Sequence, residues 1–257
     1  MGIRQGRLLL LVIGIVLAVL LLIPPIPQPD AYHDFADQRP VLGIPNGLHV
    51  LSNLAFILVG LAGLRFLWCW RRAAADAFRH PADARPYLVF FPGLIGIGLG
   101  SGYYHLDPQH TTLFWDRLPM AVTFMALFAA ILNERLGRTV GQPALPLLVL
   151  GGAAATGYWL WSELAGHGDL RPYMLVQAIP MLLTPLLVLL TTPRYSHGGS
   201  FVTAIGIYCA ALAFDLLDAQ VYALLRETVS GHTLKHLTGA VAAWWILRML
   251  QKRKARH

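Results

Sequence analysis

Leu113-Phe114-Trp115-Asp116-Arg117-Leu118-Pro119-Met120-Ala121-Val122-Thr123-Phe124-Met125-Ala126-Leu127-Phe128-Ala129-Ala130-Ile131-Leu132-Asn133 is the stretch that decides the architecture. It carries two charged residues near one end and none beyond them, and a helix of about 20 residues crosses the ~30 Å of hydrocarbon in a bilayer. Seven further apolar runs of similar length lie at 8–26, 47–69, 87–105, 143–161, 172–191, 200–217 and 230–249. The expected fold is therefore all-α: a polytopic membrane bundle of seven core transmembrane helices plus one amino-terminal transmembrane helix. Composition agrees, since 56% of the 257 residues are hydrophobic and 13% charged, too apolar a balance for an ordinary soluble domain.

The net charge of +7 reads as topology rather than as a nucleic-acid footprint, because the basic residues cluster on one side of the expected spans. With the first span starting in the cytoplasm, only Arg39, Arg117, Arg171, Arg226 and Lys235 of the 20 Lys and Arg fall on the opposite side. Both termini are expected to be cytoplasmic. Residues 1–29 read as an uncleaved signal anchor, since no small-x-small cleavage site follows the apolar run. Residues 30–250 would form the membrane domain and 251–257 a basic tail. Cys69 and Cys209 fall inside separate spans and read as small core residues rather than a disulfide.

Ionisable residues at span depth are costly, by about 2.5–3.5 kcal/mol each on insertion scales, and so mark function. His105 ends one outward-running span, Asp116 begins the next inward-running one, and His232 and His236 begin the last. All four are thus expected near the non-cytoplasmic face. Ser101 and His105 are four residues apart, as are His232 and His236, so each pair projects from one helical face. Three histidines with a neighbouring carboxylate suit a catalytic zinc ion, which takes three protein ligands and leaves a fourth position open.

Taken together, Ser101-x-x-x-His105, Asp116-x-Leu118-Pro119-Met120 and His232-x-x-x-His236-Leu237-Thr238-Gly239 resemble the alkaline ceramidase family, within a wider superfamily of seven-span hydrolases that includes the progestin/adiponectin receptors. The likeness spans about residues 46–250. It implies zinc on His105, His232 and His236, with Ser101 and Asp116 holding and activating water, and a ceramide-like membrane lipid as substrate; no protein partner is implied. The family's eukaryotic members also bind calcium through an acidic, tryptophan-containing segment. Here that region offers Asp34, Asp37 and Asn46 without a tryptophan, and Asn46 stands where Glu is usual. Calcium takes six to eight oxygens, so these three make at best a weak calcium site. Two other readings use the same residues: a lipid receptor that does not hydrolyse, and a metal or proton transporter.

Several weaker features have two readings. Gly93, Gly96, Gly98, Gly100 and Gly102 serve close helix packing or leave room for an acyl chain. Asp215 and Asp218 line a cavity, support a ligating histidine, or form a loop. Glu163, Asp169 and Arg171 contact a headgroup or sit in solvent. Trp115, Trp159 and Trp161 read as an interfacial belt.

Overall fold

The computed structural model describes residues 3–73 and 77–256. Part of the loop expected at 70–86 and the last residue of the tail lie outside the described residues, as do the side chains of Arg4, Arg71 and Arg72. The chain is all-helical: α1 (Ile3–Leu22), α2 (Gly47–Ser52), α3 (Leu54–Ala73), α4 (Tyr87–Leu106), α5 (His110–Leu136), α6 (Arg138–Leu164), α7 (Arg171–Leu190), α8 (Ser200–Leu216), α9 (Asp218–Leu224) and α10 (Gly231–Lys252). Among the described residues there is no strand, only the isolated bridges Val41–Ile44 and Tyr195–Ala255.

By length and composition, Gly47–Cys69, Pro81–Leu106, His110–Leu136, Arg138–Leu164 and Arg171–Leu190 can each cross a membrane. A sixth span arises if α8 and α9, bent by 81° at Leu217, are taken as one. In α1 the apolar helix is shorter, Gln5–Leu20. α10 is interrupted by His232, Lys235, His236 and Arg248.

Helices α3, α4, α5, α7, α8 and α10 form a ring, closed where α10 packs against both α8 and α3. α6 lies outside it against α5 and α7, and α1 packs on α7. The α4–α5 contact is close because α4 is glycine-rich: a Cβ at Gly100 would strike the carbonyl of Trp115. Gly93 likewise sits against Thr123 and Gly98 against Ile57, so these three glycines serve packing. Pro119 lacks the N–H that would bond the Trp115 carbonyl and so interrupts the α5 ladder, and the Thr123 hydroxyl finds its own partner by donating back to the Pro119 carbonyl at 2.7 Å.

Two sequence expectations are corrected. Cys69 and Cys209 are free and exposed, not in the core. Trp115 and Trp161 are more than half exposed, as a belt requires, but Trp159 is fully buried. It underlies Arg117, whose guanidinium carbon lies 4.2 Å from its ring centroid. A buried cation needs partners, and Arg117 finds Tyr173 and Tyr32 as well, at 4.9 and 5.3 Å, and donates to Gln28 Oε1 at 2.6 Å.

Gln28 belongs to a strap, residues 23–46, that runs from α1 across the end of the bundle. Leu170 N–H donates to the Ile26 carbonyl at 2.8 Å and Gln28 N–H to Glu163 at 2.6 Å. Arg171 holds the Ile23 carbonyl at 2.7 Å while paired with Asp169 at 2.8 Å. Glu163, Asp169 and Arg171 therefore anchor the strap. Hydrogen bonds from Arg171 hold the Asp169 carboxyl below the usual carboxylate range.

Candidate metal centre

His105 closes the last turn of α4, and His232 and His236 occupy the first two turns of α10. All three are at least 95% buried, and their ligand nitrogens lie within 4.8 Å of one another. Two local features fix this convergence. A Cβ at Gly231 would strike the Phe214 carbonyl, so only glycine lets the start of α10 approach α8 this closely. Asn46, in the left-handed region at φ 47°, then donates its side-chain amide to the His105 carbonyl at 2.9 Å, tying the end of α4 to the start of α2; asparagine tolerates that backbone better than most residues.

The hydrogen bonds define which ring nitrogens are bare. His232 Nδ1 lies 2.7 Å from Asp215 Oδ1. An ionised carboxylate only accepts, so Nδ1 carries the proton and Nε2 presents a lone pair. Ser52 Oγ donates to the His49 carbonyl at 2.9 Å and lies 2.8 Å from His236 Nδ1, which the Asn53 amide nitrogen also approaches at 3.3 Å; Nδ1 is thus engaged, and among the described residues Nε2 is the His236 nitrogen without a protein partner on that side. His105 Nε2 is 3.2 Å from His232 Nε2, and its Nδ1 is buried without a partner.

Ligands about 2.05 Å from a tetrahedral ion stand about 3.3 Å apart, close to the His105–His232 separation. Imidazoles backed by a carboxylate or hydroxyl on the far nitrogen are the usual metal-ligating arrangement. The group can therefore hold a metal ion, and the donor set does not by itself choose among transition metals.

Ser101 and Asp116 are both buried, and the Ser101 hydroxyl faces the Asp116 carboxyl. With Lys235 and His236 they form the polar end of a cavity of about 130 Å³ at the ring's centre. The remaining wall is mostly apolar, running past Leu94, Phe124 and Leu127 to Ile131, Phe201 and Ile246, with Asn53, Thr123, Thr184 and Tyr208 among them. All five residues expected from the sequence are thus brought to one end of the bundle.

Four others were not foreseen or were left open. His49 is fully buried, its ring 4.9 Å from His232 and 5.2 Å from His105, with Nε2 on Ser230 Oγ at 3.0 Å and Nδ1 unpartnered. Its signal was a histidine within the first turn of an apolar run. Lys235 Nζ lies 3.1 Å from Asp215 Oδ2, so Asp215 joins Lys235 to His232 and is settled as a support for the histidine. Asp218 caps the corner: it accepts from His232 N–H at 2.7 Å and from Ala36 N–H at 2.9 Å. That second bond seats the strap, and Phe35 covers the imidazoles with its ring 4.5 Å from His232 and 4.8 Å from His105.

Nearer the surface, His33 pairs with Tyr104 at 2.8 Å and His110 at 2.7 Å. Burial, then the neighbouring His110 and Arg117, hold its imidazole below its ordinary value. Of the calcium candidates, Asp34 is exposed, Asp37 gives both oxygens to Arg39 at 2.8 and 2.9 Å, and Asn46 is engaged with His105.

Fold and site together define an all-helical membrane protein with a buried histidine group able to hold a metal ion. No protein-family model matches the chain, and no curated protein matches it; the ceramidase resemblance stands on its short motifs.

Proposed function

We propose that this protein is a zinc-dependent intramembrane hydrolase that cleaves the amide bond of ceramide or a related N-acyl lipid, giving a fatty acid and a long-chain base. The reading takes α1 and α10 as spans, for seven core helices plus one. It sets both termini in the cytoplasm and the histidines near the opposite face, as the asymmetry of basic residues favours. The observation that carries it is the junction of three converging buried histidines with an apolar cavity that also holds Asp116 and Ser101.

Zinc bound by His105, His232 and His236 would supply Lewis acidity, making water acidic enough to ionise near neutral pH and polarising a carbonyl. The chain's own groups handle the rest. The apolar wall accepts the acyl chain and directs the amide toward the polar end. Asp116 takes the proton of the attacking water and returns it to the leaving amine, so one water is consumed and acid and amine are released. Ser101 donates a hydrogen bond to the oxygen that gains charge. Asp215 and Ser52 engage Nδ1 of His232 and His236, leaving Nε2 of each to ligate.

Asp116→Asn tests this directly. Hydrolysis of N-acyl lipids by the purified protein should fall about 10²- to 10⁴-fold while metal content is retained; hydrolysis unaffected by the change would sink the mechanism. Saturable lipid binding by the wild type with no turnover would instead favour the receptor reading.

A further inference from the structure

At the end of the bundle away from the histidines, the α5–α6 turn, the α7–α8 loop and the segment after α10 enclose a polar cavity of about 590 Å³. Arg79, Arg135, Arg194 and Arg256 line it with Thr192, and among the described residues no carboxylate does. Arg135 is 6% exposed; it donates to the carbonyls of Gly198 and Thr191 at 2.7 and 3.3 Å, and its Nε is buried without a partner. Arg256 lies within electrostatic reach of it. Gly137 leaves space for Arg194, whose Nη2 would stand 2.8 Å from a Cβ there.

The described acids nearby are committed elsewhere. Glu134 pairs with Arg253 at 3.2 Å, and Asp83 accepts from Tyr195 at 2.6 Å and Asn133 at 3.0 Å. Among the described residues no ion pair holds Arg79, Arg194 or Arg256. Like charges gathered around one space repel, and what relieves them is an anion. Guanidinium forks match the oxygens of a phosphoryl group in pairs, and basic pockets between membrane helices take phosphorylated headgroups.

We propose that this pocket binds a phosphate group, carried by an anionic phospholipid or free in solution. The site is separate from the histidines and stands whether or not they catalyse hydrolysis.

The test is binding of short-chain phosphatidic acid, short-chain phosphatidylcholine and inorganic phosphate to the full-length protein in a neutral detergent. The variants are Arg194→Gln with Arg256→Gln, and Lys252→Gln with Lys254→Gln as a control that removes equal charge outside the pocket. Phosphatidic acid should bind more tightly than phosphatidylcholine, and the arginine pair should weaken it about tenfold while the lysine pair does not. Arginine-dependent binding of phosphatidic acid without inorganic phosphate assigns a lipid headgroup; arginine-dependent binding of both assigns a site open to free phosphate. No binding to the wild type, or equal behaviour of the two double variants, overturns the proposal.

Discussion

Two buried polar clusters sit at opposite ends of α5, about 27 Å apart at 1.5 Å per residue between Asp116 and Glu134. At the far end Glu134 and Arg253 form a pair 2–3% exposed. Arg253 also donates to the Ala77 carbonyl at 2.7 Å and lies 4.2 Å from the Tyr195 ring centroid. Charge there meets counter-charge, and the segment after α10 is fastened to the α7–α8 loop by Ser196 N–H on the Lys254 carbonyl. At the near end the imidazoles of His105, His232 and His236 turn toward one another, with outer partners on His232 and His236 and none on His105 Nδ1. Burial is equally complete in both clusters, so burial alone does not mark a site. The mark is that at one end a buried charge meets its counter-charge, whereas at the other three ring nitrogens converge on one point.

The sharpest way to break this contrast is to remove a histidine. His232→Ala and His236→Ala should each abolish tight metal binding, read as about one metal ion per chain by mass spectrometry falling to none, with the protein still folded. A folded wild type without tightly bound metal would make the two clusters alike. Next in size, Glu134→Ala leaves the Arg253 charge buried and unpaired, and should cost about 3–5 kcal/mol of stability by denaturant unfolding while metal content stays unchanged.

Asp215→Asn probes the border between the clusters' two behaviours. It keeps the shape beside His232 but removes the charge, and metal affinity measured by competition with a chelator should drop about 10- to 100-fold. The smallest effect belongs to the strap. Hydrogen bonds from Arg39 hold the Asp37 carboxyl below its ordinary range, so that pair contributes stability above about pH 4 and loses it as the pH falls through the lowered folded value. Arg39 is half exposed, so Arg39→Gln should lower the denaturation midpoint only slightly at pH 7 and not at all in acid. A cost that persists at low pH would show that packing, not charge, holds this part of the strap.

Much of the helical frame was legible. The run 113–133 lies within α5, 87–105 coincides with α4 to within a residue, and 172–191 with α7, because an apolar run long enough to cross a bilayer has few other solutions. The breaks were not legible. The 47–69 run is interrupted at Asn53, whose amide turns back to the His49 carbonyl at 2.9 Å, and the apolar run at 200–217 ends in an 81° turn into α9. Both depend on where the histidines and Asp218 come to lie, which is non-local. Four of the five site residues showed themselves as ionisable groups at span depth, and Ser101 by its place four residues before His105. His49 and Lys235 carried the same signal but matched no spacing, and their roles follow from Ser230 and Asp215, 181 and 20 residues away in the chain. The strap was not legible, because its anchors, Glu163 and Asp218, are distant in sequence.

The 127 residues that separate His105 from His232 also set a schedule. At about 5–20 residues per second of synthesis, on the order of ten seconds pass between the making of α4 and of α10, and through that interval His105 waits in the bilayer without either partner. A metal ion held by all three histidines would therefore be acquired late, only after α10 has been made and docked on α3 and α8, and a chain stalled before α10 would offer it His105 alone.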